Sequence, residues 1–203
     1  MDILNYLHSK SISITIDNLL IGAILIFCVL AILRLLFYFF RKKVKIVNLN
    51  IEIGNIGNIT LELNKEVSKI AHKTWVEIMT RKVGLTFEED KDVIVEVYNS
   101  WYKLFEIIRE LLKNVEPNKK DKNVEKLEDI LIKTLNEGLR PHLTKWQAKF
   151  RRWYDIELKE EKNSKVSPQE IQRRYEEYDS LIVDLKNTNE KMVQFAQELK
   201  KLI

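Results

Sequence analysis

Cysteine is all but missing: the 203 residues contain one, Cys28, in the middle of an apolar run. A lone cysteine cannot pair within the chain, so no disulfide framework holds the fold, and a reducing compartment suits it. A zinc site built on cysteines is excluded with it, and three scattered histidines do not replace one. Turn formers are scarce as well, with five glycines and three prolines. Together with 32% charged residues, that gives a foldable, helix-leaning composition rather than a disordered one.

The motifs of common enzymes are missing too. There is no Gly-rich nucleotide loop with its lysine, no Gly-x-Ser-x-Gly elbow and no His-Glu-x-x-His. Asp155, Glu157 and Lys159 loosely echo a nuclease Glu-x-Lys, but their setting reads as helix rather than strand. The chain is therefore expected to work without catalysis, cofactor or metal. No repeat of 20–50 residues and no low-complexity tract is visible.

Net charge also has a telling distribution. The formal total is +4. Residues 1–40 hold Lys10 and Arg34 against Asp2 and Asp17, and residues 46–203 hold 28 basic and 28 acidic side chains. The excess is the cluster Arg41, Lys42, Lys43 and Lys45. A basic, nucleic-acid-type domain is not what this charge describes.

What the chain does have is a long apolar run. Asn18–Phe40, NLLIGAILIFCVLAILRLLFYFF, carries one charge, Arg34, near its end, where the guanidinium can snorkel. A helix of that length spans a hydrocarbon core of roughly 30 Å. The leader Met1–Asp17 lacks a basic n-region, and no small-residue cleavage site follows the run, so it reads as an uncleaved anchor. The flanking cations Arg41, Lys42, Lys43 and Lys45 place the C-terminal part in the cytosol by the positive-inside rule. The expected topology is a single-pass protein of the cell inner membrane, with residues 1–17 outside and the rest inside.

After the basic flank, Val47, Leu49, Ile51 and Ile53 alternate with polar residues. Gly54-Asn55-Ile56-Gly57-Asn58 turns the chain, and Ile59, Leu61 and Leu63 alternate again. This is a β-hairpin pattern over 41–64, flank included, whose open edges offer an association element.

Residues 65–203 read as a bundle of about five helices. Asn64 caps a first helix that Gly84 ends. Thr86-Phe87-Glu88-Glu89 is a capping box for a second, reaching Val115 with Ile94, Val97, Trp101, Leu104, Ile108 and Leu111 in heptad spacing. A third runs over Val124–Glu137 until Gly138 stops it, and Pro141 starts a fourth. Ser167-Pro168-Gln169-Glu170 is a second box, opening a last helix that keeps heptad spacing from Ile171 to Ile203. Asn189 interrupts that seam. It either sets the register of an oligomer or faces solvent where packing ends.

One polar segment stands out. Arg140–Tyr154, RPHLTKWQAKFRRWY, has no acid. Leu143, Trp146, Phe150 and Trp153 form its buried stripe, and Lys145, Lys149 and Arg152 a cationic one. That stripe is a candidate anion-binding face for lipid headgroups or nucleic acid, or it pairs with acids such as Glu88–Asp92 on a neighbouring helix. His72 and His142 read as surface or satisfied core residues. The fold expected is mainly α: one transmembrane helix, a juxtamembrane hairpin and a cytosolic bundle. The function expected is a membrane-anchored interaction or scaffold protein with a protein partner or a second copy of itself, nucleic acid being less supported. The alternative is a membrane-acting effector of a toxin or phage-defence system.

Overall fold

The computed structural model describes residues 3–40 and 45–203, in two separate units divided between Lys43 and Val44. The flank residues Arg41, Lys42 and Lys43 lie outside the described residues.

The first unit is one helix, α1 (Ile3–Phe40). It begins at Ile3, well before the apolar run, so the leader from Ile3 onward is helical. At about 1.5 Å per residue, its 38 residues exceed a bilayer core in length. Leu20–Tyr38 is long and apolar enough to cross a membrane. Leu25, Phe27, Leu30 and Leu33 are among its side chains left exposed, an arrangement that apolar residues adopt at a cost in water.

The second unit starts with the expected hairpin: β1 (Lys45–Ile51) pairs antiparallel with β2 (Gly57–Leu63), Val47 opposite Leu61 and Leu49 opposite Ile59. The alternation settles which face is buried, because Val47, Leu49, Ile51 and Leu61 all enter the core. Gly54, Asn55 and Gly57 turn the chain with positive φ, as glycine and asparagine tolerate best. The outer edges are less open than the pattern implied. Asn50 N–H donates to Glu198 Oε2 at 2.8 Å and Glu62 N–H to Asn123 Oδ1 at 3.1 Å.

Helix α2 (Lys65–Met79) opens on Asn64, whose side chain accepts from the N–H groups of Glu66 and Val67. The second helix, α3, spans Ile94–Lys113. The Thr86 capping box is not formed. Phe87 N–H is taken by Asn189 Oδ1 at 3.0 Å and Glu88 N–H by Asp92 Oδ2 at 2.9 Å, which holds 86–93 as a loop. The first N–H of α3, on Ile94, donates instead to Gln172 Oε1 at 2.9 Å.

Gly138 does not stop a helix. Helix α4 (Lys122–Lys133) runs through a wide π-turn, Thr134–Leu139, into α5 (Arg140–Glu157). A regular turn would press the Pro141 ring on the carbonyl four residues back, and the wide turn just before it avoids that arrangement. Gly138 is needed for another reason: a Cβ there would overlap the Ile53 side chain at the hairpin tip.

The Ser167 capping box is complete, with both reciprocal bonds, but it opens only the short α6 (Pro168–Gln172). The chain then breaks, and α7 (Tyr178–Lys200) completes the fold. The expected single C-terminal helix is two, because Gln172 is drawn in to cap α3 while Tyr175 packs edge-on against Phe150 at 5.2 Å. One core joins the helices and the hairpin. The α3 stripe expected from heptad spacing is spent inside it: Ile94, Trp101, Leu104 and Ile108 are fully buried.

Candidate functional site

Helix α5 puts its sequence stripes on opposite sides. Leu143, Trp146, Phe150 and Tyr154 are buried, while Trp153 is only half-buried. Lys145, Lys149 and Arg152 are exposed on the outside. Their environments differ. Lys149 Nζ pairs with Glu177 at 2.7 Å, and that hydrogen bond raises the pKa of the ammonium and lowers that of the Glu177 carboxyl. Lys145 and Lys149 each hold their ammonium 4.6 Å from the Trp146 ring centroid. Lys145 and Arg152 have no ion pair among the described residues. The face is thus partly neutralised, and by Glu177.

The acids at 88–92 serve elsewhere. Asp92 pairs with Lys82 at 2.5 Å, Glu89 with Lys186, and Asp90 with Arg173.

Beneath this face lies a buried polar chain. His142 is 2% exposed. Its Nδ1 lies 2.9 Å from Asp184 Oδ2 and its Nε2 3.1 Å from the Tyr98 hydroxyl. A carboxylate accepts only, so Nδ1 carries the proton, and Nε2 accepts from Tyr98. Trp146 Nε1 donates to the same Asp184 oxygen at 2.7 Å. Burial depresses the pKa of His142 more than Asp184 raises it, so the ring is held neutral. Burial works to raise Asp184, but the bonds from Trp146 and His142 outweigh it and bring its pKa below the usual carboxylate range. Burial pushes the Tyr98 phenol up, and the Asp184 charge adds to this.

His142 is therefore a satisfied core residue, as its sequence context suggested. The Tyr98 and Asp184 partners were not legible, since they lie 44 and 42 residues from His142 with no spacing rule to join them. The histidine and phenol are buried, Asp184 is about a third exposed, and the polar chain ties α3, α5 and α7 to one another.

Asn189 is 2% exposed, so it does not face solvent. Its Oδ1 accepts from Phe87 N–H, and its Nδ2 lies 3.0 Å from the Leu85 carbonyl and 3.2 Å from that of Val83. It fastens the α2–α3 loop to α7. Lys45 opens β1 and is exposed. Among the described residues no group of three His, Cys, Asp or Glu is placed to hold a metal ion. No protein-family model matches the chain, and neither a curated protein nor a solved structure is significantly similar to it.

Proposed function

We propose that this chain is a membrane-tethered interaction protein: α1 anchors it in the cell inner membrane, and residues 44–203 form a cytosolic domain that binds a protein partner or a second copy. The observation that carries this reading is the contrast between the two units. One is a single helix whose apolar side chains are left exposed, which water penalises and a bilayer rewards. The other closes its own core and comes within one unit of charge balance.

The Arg41, Lys42, Lys43 and Lys45 cluster orients the anchor with its C-terminal side in the cytosol. The outer side of α5, where Lys145 and Arg152 have no ion pair among the described residues, is the surface on offer to an anionic partner, including the bilayer itself. The domain acts by docking rather than by catalysis in this reading, since its His142–Asp184 pair is occupied in holding helices together.

Fusion reporters test the orientation. A reporter active only in the cytosol, attached after Ile203, is expected to work while the protein resists alkaline extraction from membranes. A periplasm-only reporter working at that position, or release by alkali, overturns the reading.

A further inference from the structure

A hollow of about 290 Å³ opens between α3 and the continuous helix formed by α4, the π-turn and α5. Its floor is apolar: Phe105, Ile108, Leu112, Ile132 and Leu135. Ile132 is 44% exposed although it lies beside buried neighbours, so the apolar surface continues out to solvent. The rim is Arg109, Lys113, Arg140 and Asn136, and no carboxylate lines it.

That one-signed rim sets the hollow apart. The larger groove between α2 and α3 mixes Glu66 and Glu77 with Lys69 and Lys73. The shallow depressions on α5 and α7 include Asp155, Asp179 and Asp184. Around the hollow, Arg109 has no ion pair among the described residues, and Lys113 shares one exposed pair with Glu110 at 2.8 Å. Arg140 Cζ sits over the Phe105 ring, 5.0 Å from its centroid, with Nε donating to Asn136 Oδ1 at 3.2 Å. This fixes the guanidinium at the mouth and leaves its terminal N–H groups available. Leu135 and Asn136 belong to the π-turn itself, a backbone irregularity that recurs at functional sites.

We propose that this hollow binds a single-chain amphiphilic anion of the fatty-acid type. The alkyl chain lies on the Phe105–Leu135 floor, and the carboxylate sits among Arg109, Lys113 and Arg140. Charge complementarity selects the head, because Arg109, Arg140 and a Lys113 only partly neutralised by its exposed pair with Glu110 favour an anion and penalise an amine. Size selects the chain, because the hollow is at the small end of ligand pockets and suits one narrow apolar chain better than a ring system or a helix. The inference adds a ligand class to the membrane-tether reading, on which it rests for the supply of such amphiphiles.

The test uses the full chain in phosphatidylcholine nanodiscs. The protein is irradiated with a decanoate analogue carrying a terminal diazirine, and separately with the matching decylamine analogue, and the adducts are mapped by mass spectrometry. With the carboxylate probe, adducts are expected on segments 105–112 and 132–135. The amine probe should give about tenfold fewer there, the discrimination expected for a charge-assisted contact. The double variant R109Q/R140Q, with an unchanged far-ultraviolet circular dichroism spectrum, should lower the carboxylate adducts to the amine level. Equal adducts from both heads, or adducts confined to α1, overturn the proposal while leaving the tether intact. Adducts in the hollow with none on α1 support the site and contradict the tether.

Discussion

Replacing Asn189 with leucine separates two ways in which an asparagine can sit in a heptad seam. Within this chain its amide accepts from Phe87 N–H and donates toward the Val83 and Leu85 carbonyls, all at or near the buried start of the α2–α3 loop. Leucine has the same branched skeleton with bulkier ends and meets none of these groups. Leaving a buried donor or acceptor unmatched costs about 1–3 kcal/mol. The loop can reorganise to water at some of these positions, so the expected loss is about 2–4 kcal/mol. For a domain of this size that lowers the melting temperature by about 5–15 °C. An asparagine that sets register between two chains behaves oppositely, since its replacement by leucine stabilises the assembly. Thermal melts followed by circular dichroism measure the shift, and amide exchange across 82–93 should quicken in the variant. A melting temperature that is unchanged or raised would refute the intramolecular clamp.

Three further outcomes follow from the packing and charges. G138A should destabilise by about 1–2 kcal/mol despite alanine's better helix propensity, because the new Cβ meets Ile53; the double variant G138A/I53A should cost less than the two single variants summed. His142 has a folded pKa depressed below its unfolded value near 6.5, so its share of stability is present above that value and is lost as pH falls through the folded one. Melting temperatures of the natural protein should therefore fall as pH drops below about 6.5, and H142Q should lose that slope. On the α5 face, K145E/K149E/R152E removes one exposed pair, worth about 0–1 kcal/mol, and two exposed cation–π contacts with Trp146, worth about 0.5–1 kcal/mol each, so the melting temperature should fall by about 2–12 °C while the fold survives. The same change should abolish salt-sensitive cosedimentation with anionic vesicles; retained binding would make these cations bystanders.

Signals that act within a few residues were legible in the sequence, and signals that act across the fold were not. Period-two alternation gave the hairpin and its buried face, because side-chain direction in a strand is a local fact. Asn64 and the Ser167 box cap helices as their sequences suggested, since each bonds to N–H groups at most three residues away. The Thr86 box has the same pattern and fails, because Asn189, 102 residues away from Phe87, competes for the loop. Gly138 and Pro141 look like a stop and a start, yet the glycine answers to Ile53 and the proline is absorbed by a π-turn. Heptad spacing marked buried stripes correctly in α3, but it could not say that the stripe faces this chain's own core. In the basic segment the outward cations were legible from periodicity. The acid that neutralises Lys149 was not, because Glu177 lies across the break between α6 and α7.

The single cysteine offers the most direct test of the tether. Cys28 lies inside Leu20–Tyr38 and is the only thiol in the chain. Membranes carrying the full-length protein are broken open, so that both faces are accessible, and treated with a charged, membrane-impermeant maleimide. If α1 spans the bilayer, Cys28 should stay unlabelled until detergent dissolves the membrane and should then react fully. Labelling of Cys28 in the intact bilayer, at the rate seen in detergent, would contradict the claim that this helix is the anchor.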